Sequence, residues 1–197
     1  LWKLIDRLNA DRPDLYGGGI WDHPQLGAYY NAPGGRRGTA FASRRRLAEQ
    51  VARKVKSPSP TFNCVGPAGV GTGSLAGMRA LHQLSSFAHI WPFDNPDTVS
   101  RPLHLVEIFP SYYFALAGIK PVNGAHGERE NINQALACFG SDSVSTDFEA
   151  NGPDHDEADA LISAAALRWF SAQSDFWSVP ADARAEGWIF GVKSATP

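Results

Sequence analysis

The sequence predicts an α/β protein, because helix-like and strand-like segments alternate along its 197 residues. The clearest helix pattern covers 156–170, where apolar residues recur at helical spacing. The clearest strand pattern is the apolar run 103–109. The composition, 43% hydrophobic and 19% charged, is that of an ordinary globular protein. We therefore expect a single α/β domain over residues 1–197, since this length suffices for one good-sized domain.

The remaining elements follow from shorter patterns of the same kind. The segment 33–35 is Pro-Gly-Gly, which predicts a turn. A polar break is expected over 11–19, and a glycine-rich loop over 66–74. Further helices are predicted over 1–8, 43–54, 75–87, 111–116 and 131–139, and short strands over 90–94 and 186–192.

Composition also limits the functional class. The net charge of −2 gives no overall basic field for nucleic acid, although local patches matter more than the total. Two cysteines, Cys64 and Cys138, are too few for a disulfide scaffold and fit no zinc pattern. We interpret them as free thiols in a reducing compartment and expect a cytoplasmic location. No apolar run approaches the roughly 20 residues of a membrane span, so we expect no membrane partner.

The most informative segment is Asp154–Leu161, which places four acids at the start of the 156–170 helix. Asp156 and Asp159 are three residues apart and so share one helix face. Acids at this position also stabilise a helix through its dipole or as an N-cap, which is the simpler explanation. Asp159 lies beyond the best capping position, so it faces either a cleft or solvent.

Glu107 stands inside the apolar run His104–Phe109, where a buried charge is costly unless it is paired or bound to a metal. An outward-facing strand position is the alternative. If Glu107 faces the same cleft as Asp156 and Asp159, three carboxylates supply the hard oxygen ligands that Mg²⁺ and Mn²⁺ prefer. Such a set suits metal-dependent cleavage of a phosphodiester.

The segment Gly66–Ser74 precedes a predicted helix, where backbone amides can cradle a phosphate. It matches neither a Walker A motif nor the dinucleotide fingerprint, and a tight turn is the simpler explanation. Ser74 resembles a degraded nucleophile elbow, with Thr72 and Ala76 where the motif needs glycine. A serine hydrolase therefore stays open, with further members among Asp94, His104, His126 and His155.

Basic residues are concentrated within one short stretch. This run is either a solvated helix face or a surface that contacts a phosphate backbone. Its members are Arg36, Arg37, Arg44, Arg45, Arg46, Arg53, Lys54 and Lys56.

The segment Asp156–Leu161 resembles the last helix of RuvC-type members of the RNase H-like superfamily, in which two aspartates three apart belong to the metal site. More closely, the chain resembles the predicted RNase H-fold nucleases catalogued as domain of unknown function 429. The resemblance covers most of residues 60–192, in the blocks Gly69–Gly77, Ile90–Asp94, Val106–Ser111, Asp156–Leu161 and Glu186–Ile189.

This resemblance implies an RNase H-like mixed sheet with flanking helices, and Glu107, Asp156 and Asp159 as candidate metal ligands. The leading strand of that fold normally carries an aspartate, yet no aspartate stands in an apolar strand near this N-terminus. Because the chain also begins at Leu1 rather than at Met, we expect the opening strands to lie upstream and to be missing here.

Our leading hypothesis is a divalent-metal nuclease or phosphodiesterase with an Mg²⁺ or Mn²⁺ cofactor, acting on nucleic acid or another phosphoester. The alternatives are a non-catalytic module that binds nucleic acid or protein, and a serine hydrolase that uses Ser74. For the leading hypothesis, we expect the cleft to be bordered by four substrate-binding residues, Gly71, Thr72, Gly73 and Ser74.

Overall fold

The computed structural model describes residues 1–66, 69–94, 101–120, 127–150 and 156–193. The α/β class is confirmed, since these ranges hold both helices and paired strands. The helices are α1 (Trp2–Leu8), α2 (Leu47–Ala52), α3 (Gly71–Leu84), α4 (Pro110–Leu116), α5 (Arg129–Cys138) and α6 (Asp156–Ser171). The strands are β1 (Asn31–Ala32), β2 (Arg36–Arg37), β3 (Ala88–Ile90) and β4 (Leu103–Leu105).

The chain forms two compact units, each with its own core. The first unit contains α1, α3 and all four strands, and is formed by Leu1–Arg45, Ser59–Ile90 and Asp94–Leu105. The second unit contains the other four helices, and is formed by Arg46–Pro58, Trp91–Phe93 and Val106–Pro197.

In the first unit, α1 packs against α3 and buries a small apolar core. Strands β1 and β2 form an antiparallel hairpin, and the predicted turn between them is confirmed, with Gly34 and Gly35 both at positive φ. Strands β3 and β4 pair in parallel, so that His89 lies opposite His104. The buried core residues are Ile5, Ile20, Tyr30, Cys64 and Leu75.

The second unit is built around α6, which packs against α4 and α5. The buried positions Ala158, Ile162, Ala165 and Phe170 recur at helical spacing, as the sequence predicts. Tyr113 in α4 is fully buried, and its hydroxyl donates a hydrogen bond of 2.8 Å to the carbonyl of Phe190. These contacts join α4 and α6 to the closing segment of the chain through an aromatic core.

Three predicted strands differ in the structure: 103–109 is shorter, 186–192 forms only an isolated bridge, and the strand expected over 90–94 lies at Ala88–Ile90. β4 ends at Leu105, and Glu107 pairs only through an isolated parallel bridge to Ile189. Pro110 begins α4 directly afterwards and has no N–H with which to continue a ladder. The closing segment 186–192 is interrupted because Gly187 and Gly191 both adopt φ of 85°, which is not an extended conformation. The RNase H-like topology stays a prediction.

Two helices also begin at different residues from those predicted. α3 starts at Gly71, so the last four residues of the loop expected over 66–74 belong to its first turn. α2 starts only at Leu47, because the Glu49 carboxylate accepts a hydrogen bond of 3.1 Å from the backbone N–H of Arg46. This bond stops the helix from extending back over Arg44 and Arg45. No helix of the described ranges is long and apolar enough to cross a bilayer.

Candidate functional site

The acidic start of α6 is present as predicted, with Asp156, Glu157 and Asp159 in the first helical turn. Asp156 is exposed, while Asp159 is partly buried and follows Ala158, which is fully buried in the core of the second unit. The two aspartates therefore lie close to the edge between the solvent-facing and core-facing sides of the helix. Asp154 and His155 lie outside the described residues.

Glu107 is held by an arginine from the start of α2. Its Oε2 accepts a hydrogen bond of 2.8 Å from Nη1 of Arg46, and its Oε1 accepts one of 2.5 Å from Nη2. This is a bidentate pair, the strongest common geometry for a carboxylate and a guanidinium. The sequence predicts either a buried charge at Glu107 that needs a partner or an outward-facing position. In the structure the Glu107 side chain is 42% exposed and is paired with Arg46.

Arg46 is the centre of a larger ion-pair group in the second unit. Its Nε donates a hydrogen bond of 2.8 Å to Glu49, whose side chain is only 1% exposed. Burial alone lowers the pKa of Arg46, but the hydrogen bonds and charges of Glu107 and Glu49 outweigh it and raise this pKa above its ordinary value. Glu186 completes the group by accepting a hydrogen bond of 2.9 Å from the N–H of Leu47.

The three predicted metal ligands are not gathered around one point. Within the ranges that the structure describes, no group of three His, Cys, Asp or Glu side chains is placed to hold a metal ion. Glu107 is instead neutralised by Arg46, while Asp156 and Asp159 lie together on α6. A metal centre built on Glu107, Asp156 and Asp159 therefore stays a prediction.

The part of the glycine-rich segment from Gly71 to Ser74 is the start of α3, and it is closely packed at Gly71. A Cβ added to Gly71 would lie 2.6 Å from both Cys64 Sγ and the carbonyl oxygen of Thr61, so only glycine fits there. The N–H of Gly71 donates a hydrogen bond of 2.9 Å to the carbonyl of Asn63 and is therefore already engaged. Thr72 lines a cavity of the first unit, whereas a Cβ added to Gly73 would meet no described atom within 4 Å.

The serine hydrolase hypothesis gains no support from the described residues. The hydroxyl of Ser74 makes no hydrogen bond to a histidine in this part of the chain. Asp94 accepts hydrogen bonds of 2.9 Å from both the N–H of Ile90 and the Arg101 guanidinium, so it is engaged elsewhere. His104 stacks on His89 at 5.1 Å. His126 and His155 lie outside the described residues.

The basic run divides into residues with different surroundings. In the first unit, three of its arginines each lie over an aromatic ring: Arg36 over Trp21 at 5.7 Å, Arg37 over Phe41 at 5.0 Å, and Arg44 over Tyr29 at 5.2 Å. All three arginines are exposed. We call these six residues the arginine–aromatic surface.

Backbone hydrogen bonds hold this surface together. The N–H of Gly38 donates a bond of 2.9 Å to the carbonyl of Tyr30, and the N–H of Ala40 donates one of 2.9 Å to Ala28. A Cβ at Gly38 would collide with the carbonyl of Ala28, so glycine is required for this close approach. The sequence pattern identified the arginines but not their aromatic partners, Trp21, Tyr29 and Phe41, which lie in the same part of the chain.

The chain matches no protein-family model, no curated protein and no solved structure.

Proposed function

We propose that this protein binds single-stranded nucleic acid, and that the arginine–aromatic surface makes the contact. The observation that carries the proposal is the pairing of Arg36, Arg37 and Arg44 with exposed or partly exposed aromatic rings in one segment of the first unit. Proteins that bind single strands without strong sequence preference combine positive charge for the backbone with aromatic side chains for the bases.

The chemistry of the arginines suits a phosphate backbone. A guanidinium that lies over a ring keeps its N–H edge available for a phosphate, and arginine binds phosphate through two parallel hydrogen bonds. The ring also restricts the arginine side chain before binding, which lowers the entropic cost of contact. The only ion pair that involves these three arginines in the described residues joins Arg36 to Asp22 at 2.6 Å. Both of its side chains are more than half exposed, so a phosphate can replace Asp22 at little cost.

The test measures binding of a labelled single-stranded oligonucleotide by fluorescence anisotropy over a series of salt concentrations. Each phosphate contact on a single strand contributes a slope of about −0.7 to log K against log[salt], so three arginines contribute about −2. We expect the triple change Arg36→Gln, Arg37→Gln and Arg44→Gln to weaken binding strongly and to remove about that much of the slope.

The chain offers a matched control for charge. Arg53, Lys54 and Lys56 belong to the same basic run, and none of them has a cation–π partner among the described residues. Changing these three to Gln removes the same charge from the second unit and is expected to have a much smaller effect. Equal losses of strand affinity in both triple variants would show that binding depends only on net charge. An absence of strand binding to the wild type would rule the proposal out.

A second candidate is divalent-metal-dependent phosphodiester hydrolysis on an RNase H-like fold. It is favoured by Asp156 and Asp159, which share the first turn of a helix whose other side is buried. The test compares Mg²⁺- and Mn²⁺-dependent cleavage of single-stranded DNA and RNA by the wild type and by Asp159→Asn. We expect cleavage by the wild type and loss of cleavage in the variant. Cleavage that is unchanged by Asp159→Asn, or no cleavage with either metal, would count against it.

A further inference from the structure

A separate cavity in the first unit lies between the loop after α1 and the start of α3. Its volume is about 390 Å³, within the roughly 300–1,000 Å³ range of small-molecule sites. It is lined by Arg12, Asp14, Tyr16 and Trp21 from the loop and by Thr72, Leu75 and Ala76 from α3, and Arg12 also forms an exposed ion pair of 4.0 Å with Asp11. Such a combination of aromatic, apolar and a few polar groups is typical of a site for a planar organic ligand.

The loop that forms this cavity is fixed by buried polar side chains. Arg79 of α3 is buried and ion-paired with Asp6 at 3.1 Å. It also donates hydrogen bonds to the carbonyls of Arg12 at 3.2 Å and Tyr16 at 2.9 Å. Asn9, also fully buried, accepts a hydrogen bond of 2.7 Å from the N–H of Gly19. The cavity is therefore pre-formed rather than dependent on a ligand for its shape.

The backbone within the loop is strained. Asp14 and Leu15 adopt φ of 53° and 55°, the left-handed region that residues with a Cβ seldom occupy. Arg79 holds the carbonyls on either side of this pair. Strained residues held in place by their surroundings are found preferentially at functional positions and ligand clamps.

The cavity adjoins the arginine–aromatic surface through one shared residue. Arg36 lies over Trp21, Trp21 meets Tyr16 edge to face at 6.1 Å, and Arg12 lies over Tyr16 at 5.8 Å. Two neighbouring aromatic rings, each with an arginine over it, therefore connect the exposed surface to the cavity. A strand bound along the surface can place one base against Tyr16 and Trp21, with a phosphate near Arg12.

From these observations we propose that the cavity binds a single nucleobase. This inference rests on the proposed nucleic-acid function and adds a base-binding subsite to it. The aromatic walls suit the face of a heterocycle, the Arg12 guanidinium suits the phosphate attached to the nucleoside, and the Asp14 carboxylate can accept a hydrogen bond from a base amino group. A free phosphate fits less well, because Asp14 would repel it.

The experiment titrates the full chain with the four ribonucleoside monophosphates by calorimetry, using ribose 5-phosphate as the probe that lacks a base. We expect at least one nucleotide to bind and ribose 5-phosphate to bind at least about tenfold more weakly, since stacking of one base contributes about 1–3 kcal/mol. The variants are Tyr16→Ala, which removes a stacking ring, and Ala76→Leu, which fills the cavity from α3. Each is expected to weaken nucleotide binding by about tenfold or more.

Two controls separate a base site from other effects. Tyr16→Phe keeps the ring and is expected to bind within about threefold of wild type. Lys54→Gln changes an exposed residue of the second unit that does not line the cavity, and is expected to leave nucleotide binding unchanged. The inference is overturned if no nucleotide binds, if ribose 5-phosphate binds equally well, or if Tyr16→Ala and Ala76→Leu bind like wild type. Strand binding that depends on Arg36, Arg37 and Arg44 without nucleotide binding would leave the proposed function standing and the base site refuted. Nucleotide binding without strand binding would leave the base site standing and refute the proposed function.

Discussion

Arg46 binds the carboxylate of Glu107 with both terminal nitrogens, at 2.8 and 2.5 Å, although the two residues are 61 positions apart in the chain. The same guanidinium also neutralises Glu49, which is almost fully buried. One arginine thus compensates two carboxylates in the second unit. Glu107 therefore combines a 42% exposed side chain with an ion pair, and neither feature leaves its charge buried and alone.

Replacing Arg46 by Met is expected to destabilise the protein by about 3–5 kcal/mol, because it leaves the buried Glu49 carboxylate without its guanidinium. The double change Arg46→Met and Glu49→Leu is expected to recover most of that loss, since an apolar pair can replace a buried ion pair. Urea denaturation gives the free energy of unfolding of the wild type, the single variant and the double variant. The control is Arg36→Met, which breaks an exposed pair and is expected to cost about 0–1 kcal/mol. Similar losses for Arg36→Met and Arg46→Met would contradict this account.

Gly17 is a position where only glycine fits. A Cβ there would lie 2.5 Å from Cβ and 2.9 Å from the carbonyl carbon of Leu75, so the loop could not rest on α3. We expect Gly17→Ala to destabilise the protein by about 1–3 kcal/mol through overpacking.

Gly77 in α3 is the matched control, because a Cβ there meets nothing within 4 Å. Gly77→Ala is expected to stabilise by about 1 kcal/mol through helix propensity. Thermal unfolding of both variants would show opposite shifts, and shifts of the same sign would refute the packing argument.

Arg79 is expected to be irreplaceable by lysine. An ammonium cannot reproduce the planar fork that reaches Asp6 and the carbonyls of Arg12 and Tyr16 together. Arg79→Lys should therefore cost about 1–3 kcal/mol for the carbonyls that lose their donor. It should also speed amide hydrogen exchange in the 10–19 loop. The control, Arg184→Lys, changes an exposed arginine of the second unit and is expected to leave both quantities unchanged. Normal protection of the loop in Arg79→Lys would count against the role given to Arg79.

Alkaline pH is expected to destabilise the protein through its buried tyrosines. Burial, with a smaller contribution from Cys64, raises the pKa of Tyr30 to about 12, and burial also raises the pKa of Tyr112 and Tyr113. The unfolded chain loses these protons near pH 10 and the folded chain only at higher pH, so the unfolded state binds fewer protons and is favoured as pH rises. The stability that Tyr30 contributes is complete below about pH 10 and is lost as pH approaches about 12.

The measurement is the free energy of unfolding as a function of pH across this window. Tyr30→Phe cannot ionise at this position, so its stability should fall less steeply with pH than that of the wild type. Parallel curves for the two proteins would show that Tyr30 does not titrate as described.

Several helices were predictable from the sequence because their pattern is local. The apolar spacing of 156–170 marks the buried face of α6, and α1, α4 and α5 begin and end within two residues of their predicted positions. The turn at 33–35 was predictable for the same reason, since Gly34 and Gly35 tolerate the positive φ that the hairpin requires. In each case the determining interactions lie within a few residues of one another.

The partners of the charged and aromatic residues were decided by the tertiary structure. The apolar residues around Glu107 indicate that its charge needs a partner or an outward-facing position. Only packing decides that the partner is Arg46. Likewise, the strand pattern at 103–109 keeps only Leu103–Leu105 as β4, and the pattern at 186–192 keeps only the isolated bridge between Ile189 and Glu107. The sequence by itself determined the positions of α1, α4, α5 and α6 to within two residues and which residues carry charge. The tertiary structure decided which charges meet and where a cavity opens, because those contacts join distant segments whose approach depends on the packing of the whole unit.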